Sequence, residues 1–186
     1  MAGSDHFYGW KNPGITVKFC GCLHLQEIFR KKEREDENMS ETSVNQRKVA
    51  MIGCGFVGSA TAFALMESGL FSEMVLIDAD KNRAEGEALD ISHGLPFARP
   101  MKIYAGDYDD IVDAAIIIVT AGANQKPDET RLDLVQKNVG IFKSIIPEIA
   151  KRNCGGILLI VSNPVDILTY TALKLSGFPE NRVLGS

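Results

Sequence analysis

Nowhere does the sequence hold the roughly 20 consecutive apolar residues that a membrane-spanning helix needs, and no membrane partner is expected. Neither sign of charge dominates. The 20 Lys and Arg against 24 Asp and Glu leave a formal net charge of −4, which offers nothing to the phosphates of a nucleic acid. Cysteine is sparse and scattered, at positions 20, 22, 54 and 154. Only Cys20 and Cys22 are close. Even with His24 nearby, the pair lacks the further ligands at matching spacing that zinc requires, so no metal is expected. Isolated thiols of this kind are those of a reduced, cytoplasmic protein. Internal repeats and low-complexity tracts are also missing. An apolar content of 45% beside 24% charged residues is that of a globular protein with room for one ordinary domain.

Residues 1–47 read as a poorly structured extension. They carry no sustained period and include the charge run RKKEREDE from Arg30 to Glu37. Lys18 and Gly21 interrupt the apolar stretch, and no basic segment precedes it, so it is not a secretory signal. Lys, Glu and Arg can all be encoded by purine-only codons. KKERE is therefore readable as a translated ribosome-binding site, with Met39 as the true start.

From Lys48 the pattern is orderly. Strands are expected at Lys48 to Ile52, Glu73 to Ile77, around Ile103, at Ala114 to Thr120 and Gly156 to Ser162, with a sixth starting at Val183. Helices are expected at Ser59 to Ser68, Arg83 to Ser92, Leu132 to Asn153 with a kink at Pro147, and Val165 to Ser176. The run AAIIIVT is β-branched from Ile116 to Thr120, as befits a strand buried on both faces. Strands alternating with helices imply an α/β fold of the Rossmann type, a doubly wound parallel sheet over residues 48–186.

Gly53, Gly55 and Gly58 form GCGFVG between the first strand and the first helix. In a G-x-G-x-x-G the first glycine permits the tight turn, the second lets backbone approach a pyrophosphate, and the third allows close helix–strand packing. The helix N-terminus then offers free N–H groups to the phosphates. Asp78 stands 20 residues past Gly58, at the end of the second strand, where a carboxylate accepts from the adenosine ribose hydroxyls. It would repel the 2′-phosphate of NADP, so NAD is the expected cofactor, although Arg83 is close by. A flavodoxin-like sheet with Asp78 as a surface cap is the alternative.

After the fourth strand comes the polar loop AGANQKPDETRLDLVQKN, placed where ligands bind in such sheets. From Lys48 to Ser186 the chain resembles the amino-terminal part of the L-lactate/malate dehydrogenases, most closely the bacterial lactate branch. The segments VAMIGCGFVGSATAFAL, VLIDADKNRAEGEALDISHG, TAGANQKPDETRLDLVQKN and VSNPVDILTY carry the resemblance.

The resemblance implies reversible, NADH-dependent reduction of pyruvate to L-lactate, the closing step of fermentative glycolysis, by a cytoplasmic homotetramer. It implies that Arg131 closes over the substrate and polarises the carbonyl. Gln125 then selects lactate over malate, because the malate enzymes place an arginine there. Asn163 would reach both cofactor and substrate, and Asp166 would belong to the same substrate-side segment, though it equally suits a helix cap. Val57, Arg83, Tyr108, Gly122, Ala123, Ser144, Val161, Ser162 and Ser186 match cofactor-lining positions. Tyr108 and Ser144 also suit ordinary surface or helix positions. His93 is expected to complement a helix dipole before Gly94, not to move protons. In the family the proton-transferring histidine, its aspartate and the carboxylate-gripping arginine come later. The 186-residue chain is therefore expected to end before the catalytic domain and to be inactive by itself. A malate or bulkier 2-hydroxy-acid dehydrogenase, a stand-alone dinucleotide-binding module, and an interaction protein docking through its N-terminal extension are the alternatives.

Overall fold

The computed structural model describes residues 43–124, 128 and 130–186. The expectations for residues 1–42, Met39, the charge run and the Cys20–Cys22 pair among them, lie outside these, as do those for Gln125. Among the described residues six strands form one parallel sheet: β1 (Asn45–Ile52), β2 (Glu73–Ile77), β3 (Lys102–Ala105), β4 (Ala114–Val119), β5 (Ile157–Ile160) and β6 (Val183–Gly185). Their order is β3-β2-β1-β4-β5-β6. The chain therefore works outward from β1 in one direction, then restarts at β4 in the other. The α-helices of the described residues, α1 (Phe56–Ser68), α2 (Lys81–Ser92), α3 (Arg131–Lys151) and α4 (Val165–Ser176), make every connection but that from β3 to β4.

The pleat of the central strands divides the core. Ala50, Ile52, Val75, Ile77, Ile117 and Val119 face Phe142, Ile146 and Ile149 of α3 and Leu168 of α4. Their neighbours Val49, Met51, Met74, Leu76 and Ile118 face Ala62 and Met66 of α1 and Ala84, Ala88 and Ile91 of α2. Val49 to Ile52 are at most 2% exposed, so the second half of β1 is apolar without alternation because both of its faces are covered.

Several boundaries differ from those expected, for physical reasons. β1 begins at Asn45, and its pairing with β4 shifts register between Asn45 and Val49. α1 begins at Phe56 because Gly55 is its N-cap, so the glycine loop and the helix overlap. α3 runs through Pro147 as one element. Short 3₁₀ turns at Leu95–Phe97, Tyr108–Ile111 and Glu180–Arg182 carry no readable period. His93 is the exposed C-cap of α2. Gly94 follows without a left-handed turn, and a Cβ there would lie 2.7 Å from Met66 Cε, so close packing explains this glycine.

Midway along β1, the buried Lys48 links that strand to the start of β2 and to the residue before β4. Its Nζ lies 2.8 Å from Asp113 Oδ1 and 3.4 Å from Glu73 Oε1, which also accepts from the Tyr104 hydroxyl at 2.9 Å. Burial works against the Lys48 charge, but the Asp113 hydrogen bond and the surrounding groups outweigh it and raise the pKa. Burial likewise works against ionised Glu73, and Tyr104 with Lys48 and Lys102 brings its pKa below the ordinary 4.5. The Glu73 contribution is thus complete above about 4.5 and is lost as pH falls through the lower folded value. The Lys48 contribution is complete below 10.5 and is lost only as pH rises past its folded value. Urea melts of Lys48→Met should show a loss of about 2 kcal/mol at neutral pH, below the full cost of breaking a buried pair because both partners reach solvent. The acid-side decline should also be shallower than in the wild type.

Candidate functional site

The reversal of strand order between β1 and β4 opens a crevice at the carboxyl ends of these strands, where ligands bind in open parallel sheets. The glycine loop leaves β1 into it. Gly53 has φ +100°, and a Cβ there would lie 2.6 Å from Ala121 N. A Cβ on Gly58 would lie 1.9 Å from the Gly53 carbonyl oxygen. Around Gly55, by contrast, a Cβ would meet nothing within 4 Å. The first and third glycines are required by the protein's own packing, while the second faces open space at the N-terminus of α1.

That N-terminus is kept free. The Asp80 side chain caps α2, and Thr130 and Asp133 form a capping box on α3, but α1 has no side-chain cap and no acid in its first turn. Uncapped N–H groups and the positive end of the helix dipole suit a diphosphate, for which the missing Gly55 side chain leaves room. The loop itself is held from three sides. Thr120 Oγ1 donates to the Gly53 carbonyl at 2.7 Å, Ser59 Oγ donates to the Cys54 carbonyl at 3.2 Å, and Asp78 Oδ2 accepts from Cys54 N–H at 2.7 Å. Asp78 Oδ1 accepts from Asp80 N–H at 2.9 Å. An ionised carboxylate has about four acceptor positions, so two are left for ligand hydroxyls. The Cys54 thiol is buried, and burial, with the charges of Asp78 and Glu87, pushes its pKa up to about 12. Cys54 therefore serves through its backbone and not as a nucleophile.

Three adjoining cavities follow the crevice, with Thr120 and Gly122 bordering all of them. The largest, about 580 Å³, lies among Gly53, Gly55, Asp78, Arg83, Tyr108 and Ser144. Arg152 of the α3 C-terminus lies 5.4 Å from the Tyr108 ring, and burial raises the Tyr108 pKa. The second, about 420 Å³, borders Val57 and Gly58 at the start of α1. The third, about 250 Å³, lies among Val57, Ala123, Val161, Ser162 and Asn163. Ser162 Oγ donates to the Ala121 carbonyl at 2.7 Å, which joins the ends of β4 and β5.

Not every expected site residue reaches these cavities. Arg131 is the exposed first residue of α3 and borders none of the three. Ser186 continues β6, its N–H donating to the Ile160 carbonyl at 3.0 Å, and borders none either. Pro164, not Asp166, is the N-cap of α4, and Asp166 sits exposed in the first turn. Thr120 and Asn138 did not stand out in the sequence, yet both hold the site together. For Asn138 there was a signal: an amide on the apolar stripe of α3, four residues before Phe142. Among the described residues no cluster of His, Cys, Asp or Glu could hold a metal ion.

Residues 47–185 match the family model described as lactate/malate dehydrogenase, NAD binding domain. L-lactate dehydrogenase 1 of Clostridium acetobutylicum is 60% identical over 139 residues, which are 75% of this chain and 44% of that protein. The L-lactate dehydrogenase of Acetivibrio thermocellus is 59% identical over 140 residues, again 75% and 44%. Among solved structures, the ligand-bound minor L-lactate dehydrogenase of Enterococcus mundtii superposes with a TM-score of 0.72 at 44% identity, covering 78% of this chain and 46% of the other. A lactate dehydrogenase from a Medee basin deep-sea metagenome library does so with a TM-score of 0.72 at 48% identity, covering 75% and 45%. The chain thus spans less than half the length of the curated relatives it matches.

Proposed function

The chain belongs to the lactate/malate dehydrogenase family, as part of which it is an NAD-binding domain, and on that premise we propose that the whole protein is an L-lactate dehydrogenase. It would reduce pyruvate reversibly to L-lactate at the close of fermentative glycolysis. The observation that carries the substrate assignment is the neutral amide of Gln125, six residues before Arg131. A site for malate needs a cation to pair with the second carboxylate, and an unpaired carboxylate facing an amide is strongly disfavoured.

In this reading Asp78 accepts from the adenosine ribose, Tyr108 and Ser144 wall the adenine, and Arg83 lies at the outer rim. Gly53, Gly55, Val57, Gly58, Gly122 and Ala123 surround the diphosphate. Val161, Ser162 and Asn163 line the nicotinamide end, and Asp166 and Ser186 stand at its margins. Bound NADH supplies the hydride. Arg131, the first residue of α3, places a cation against the substrate carbonyl, which is worth about 3 kcal/mol or more where water is excluded. His93, the one histidine among the described residues, caps α2 and borders none of the three cavities, so no proton transfer is assigned to it.

A cytoplasmic homotetramer is part of the proposal. Phe56 at 93% and Phe63 at 46% exposure support an oligomer, since they leave apolar surface of α1 uncovered. No helix among the described residues is long and apolar enough to cross a membrane. The test is a substrate comparison on the gene product purified from its native host. NADH oxidation should be faster with pyruvate than with oxaloacetate, and Gln125→Arg should reverse the preference with a change of about 100-fold or more in the kcat/KM ratio. A wild-type enzyme that prefers oxaloacetate would refute the assignment.

A further inference from the structure

One buried side chain outside the glycine loop commits both ends of its amide to the crevice. Asn138 lies on α3 seven residues after Arg131 and is 2% exposed. The residues that follow it on the buried face, Phe142, Ile145, Ile146 and Ile149, are apolar. An amide is costly in such a place unless its donor and acceptor are both engaged. Here they are. Asn138 Oδ1 accepts from Ala123 N–H at 2.7 Å, and Asn138 Nδ2 donates to the Asn163 carbonyl at 2.8 Å. These backbone groups belong to different loops, one after β4 and one after β5, and both loops border the 250 Å³ cavity. The backbone of Gly122 lies flush against the same amide, for a Cβ there would be 3.5 Å from it, at ordinary contact distance.

We propose that Asn138 is a positioning residue for the nicotinamide end of the cofactor. Its amide sets the separation of Ala123 from Asn163, and so the width of the slot that the ring and the 2-oxo acid share. The proposal rests on the NAD-binding reading of the crevice. Because Arg131 opens the same helix, one side chain also registers the arginine-bearing helix against the β5 loop. Asp78, Arg83, Tyr108 and Ser144, which wall the largest cavity away from Gly122, are not among its hydrogen-bond partners, so adenosine binding should not depend on it. The chemistry admits few substitutes. Aspartate retains the acceptor toward Ala123 but sets a carboxylate oxygen against the Asn163 carbonyl. Leucine fills the volume and leaves both backbone groups unpaired.

The experiment is a calorimetric titration of the 186-residue chain with NADH and, separately, with ADP-ribose, which has the adenosine, both phosphates and the second ribose but no nicotinamide ring. The wild type should bind NADH more tightly than ADP-ribose and shift the dihydronicotinamide fluorescence. Asn138→Asp should bind ADP-ribose like the wild type while its NADH affinity falls about tenfold, as expected for a buried hydrogen bond turned into a clash. The fluorescence shift should diminish with it, and Asn138→Leu should lose at least as much. Equal weakening of both ligands, or an NADH advantage left intact in Asn138→Asp, would overturn the proposal. So would failure of both variants to fold, which would make Asn138 a folding residue only. A wild type that binds neither ligand would overturn the reading of the crevice itself, and this proposal with it.

Discussion

Gly58→Ala is expected to cost about 3 kcal/mol of folding stability and to remove measurable NADH binding, whereas Gly55→Ala should fold normally and lose only the binding. The contrast follows from what each new methyl group meets. At Gly58 it would lie 1.9 Å from the Gly53 carbonyl oxygen and 2.8 Å from Thr120 Oγ1. That carbonyl cannot retreat easily, since Thr120 holds it at 2.7 Å and Gly53 N–H is bonded to the Ile77 carbonyl at 2.8 Å. Relief requires α1 to move off the sheet, which opens the core around Ala62 and Met66 and displaces the cradle. At Gly55 the backbone has φ −76°, comfortable for any residue, and nothing lies within 4 Å of the added carbon. That space is the one a diphosphate would fill. Urea melts and NADH titrations on the two variants separate the effects. If Gly55→Ala bound NADH like the wild type, the diphosphate would not sit at this helix N-terminus.

Asp78→Ala is expected to weaken NADH binding about 100-fold and to erase the preference for NADH over NADPH, a loss of close to 3 kcal/mol at 1.4 kcal/mol per tenfold. Two effects combine. The carboxylate is the acceptor for ribose hydroxyls, and its negative charge is what would repel a 2′-phosphate. It also holds the glycine loop through Cys54 N–H at 2.7 Å, so its loss leaves that partly buried donor unpaired and should lower stability by about 2 kcal/mol. Arg83 borders the same cavity and is left as the charged residue of its lining, so NADPH affinity should hold steady or rise. Parallel titrations with the two cofactors measure this, and an unchanged preference in Asp78→Ala would move the discrimination to another residue.

Much of this arrangement was legible in the sequence because it is local. β2 and α4 lie where periodicity puts them, at Glu73–Ile77 and Val165–Ser176, since each is bounded by a glycine, a proline or a charged turn. The three glycines of the loop could be given separate tasks from their spacing, and the structure offers each task a distinct surrounding. What could not be read depends on pairings between distant segments. The Asp78 carboxylate reaches Cys54, 24 residues away, and Asn138 joins groups 15 and 25 residues from itself. Nothing in a one-dimensional pattern brings such groups together. The start of α1 was hidden for another reason: its cap is Gly55, which reads as a turn.

The most direct test of the central claim is to titrate the 186-residue chain with NADH and NADPH while following dihydronicotinamide fluorescence. The crevice predicts saturable binding of one NADH per chain, with NADPH weaker by about tenfold or more because its extra phosphate would face Asp78. Absence of saturable NADH binding, or equal affinity for the two, would contradict it.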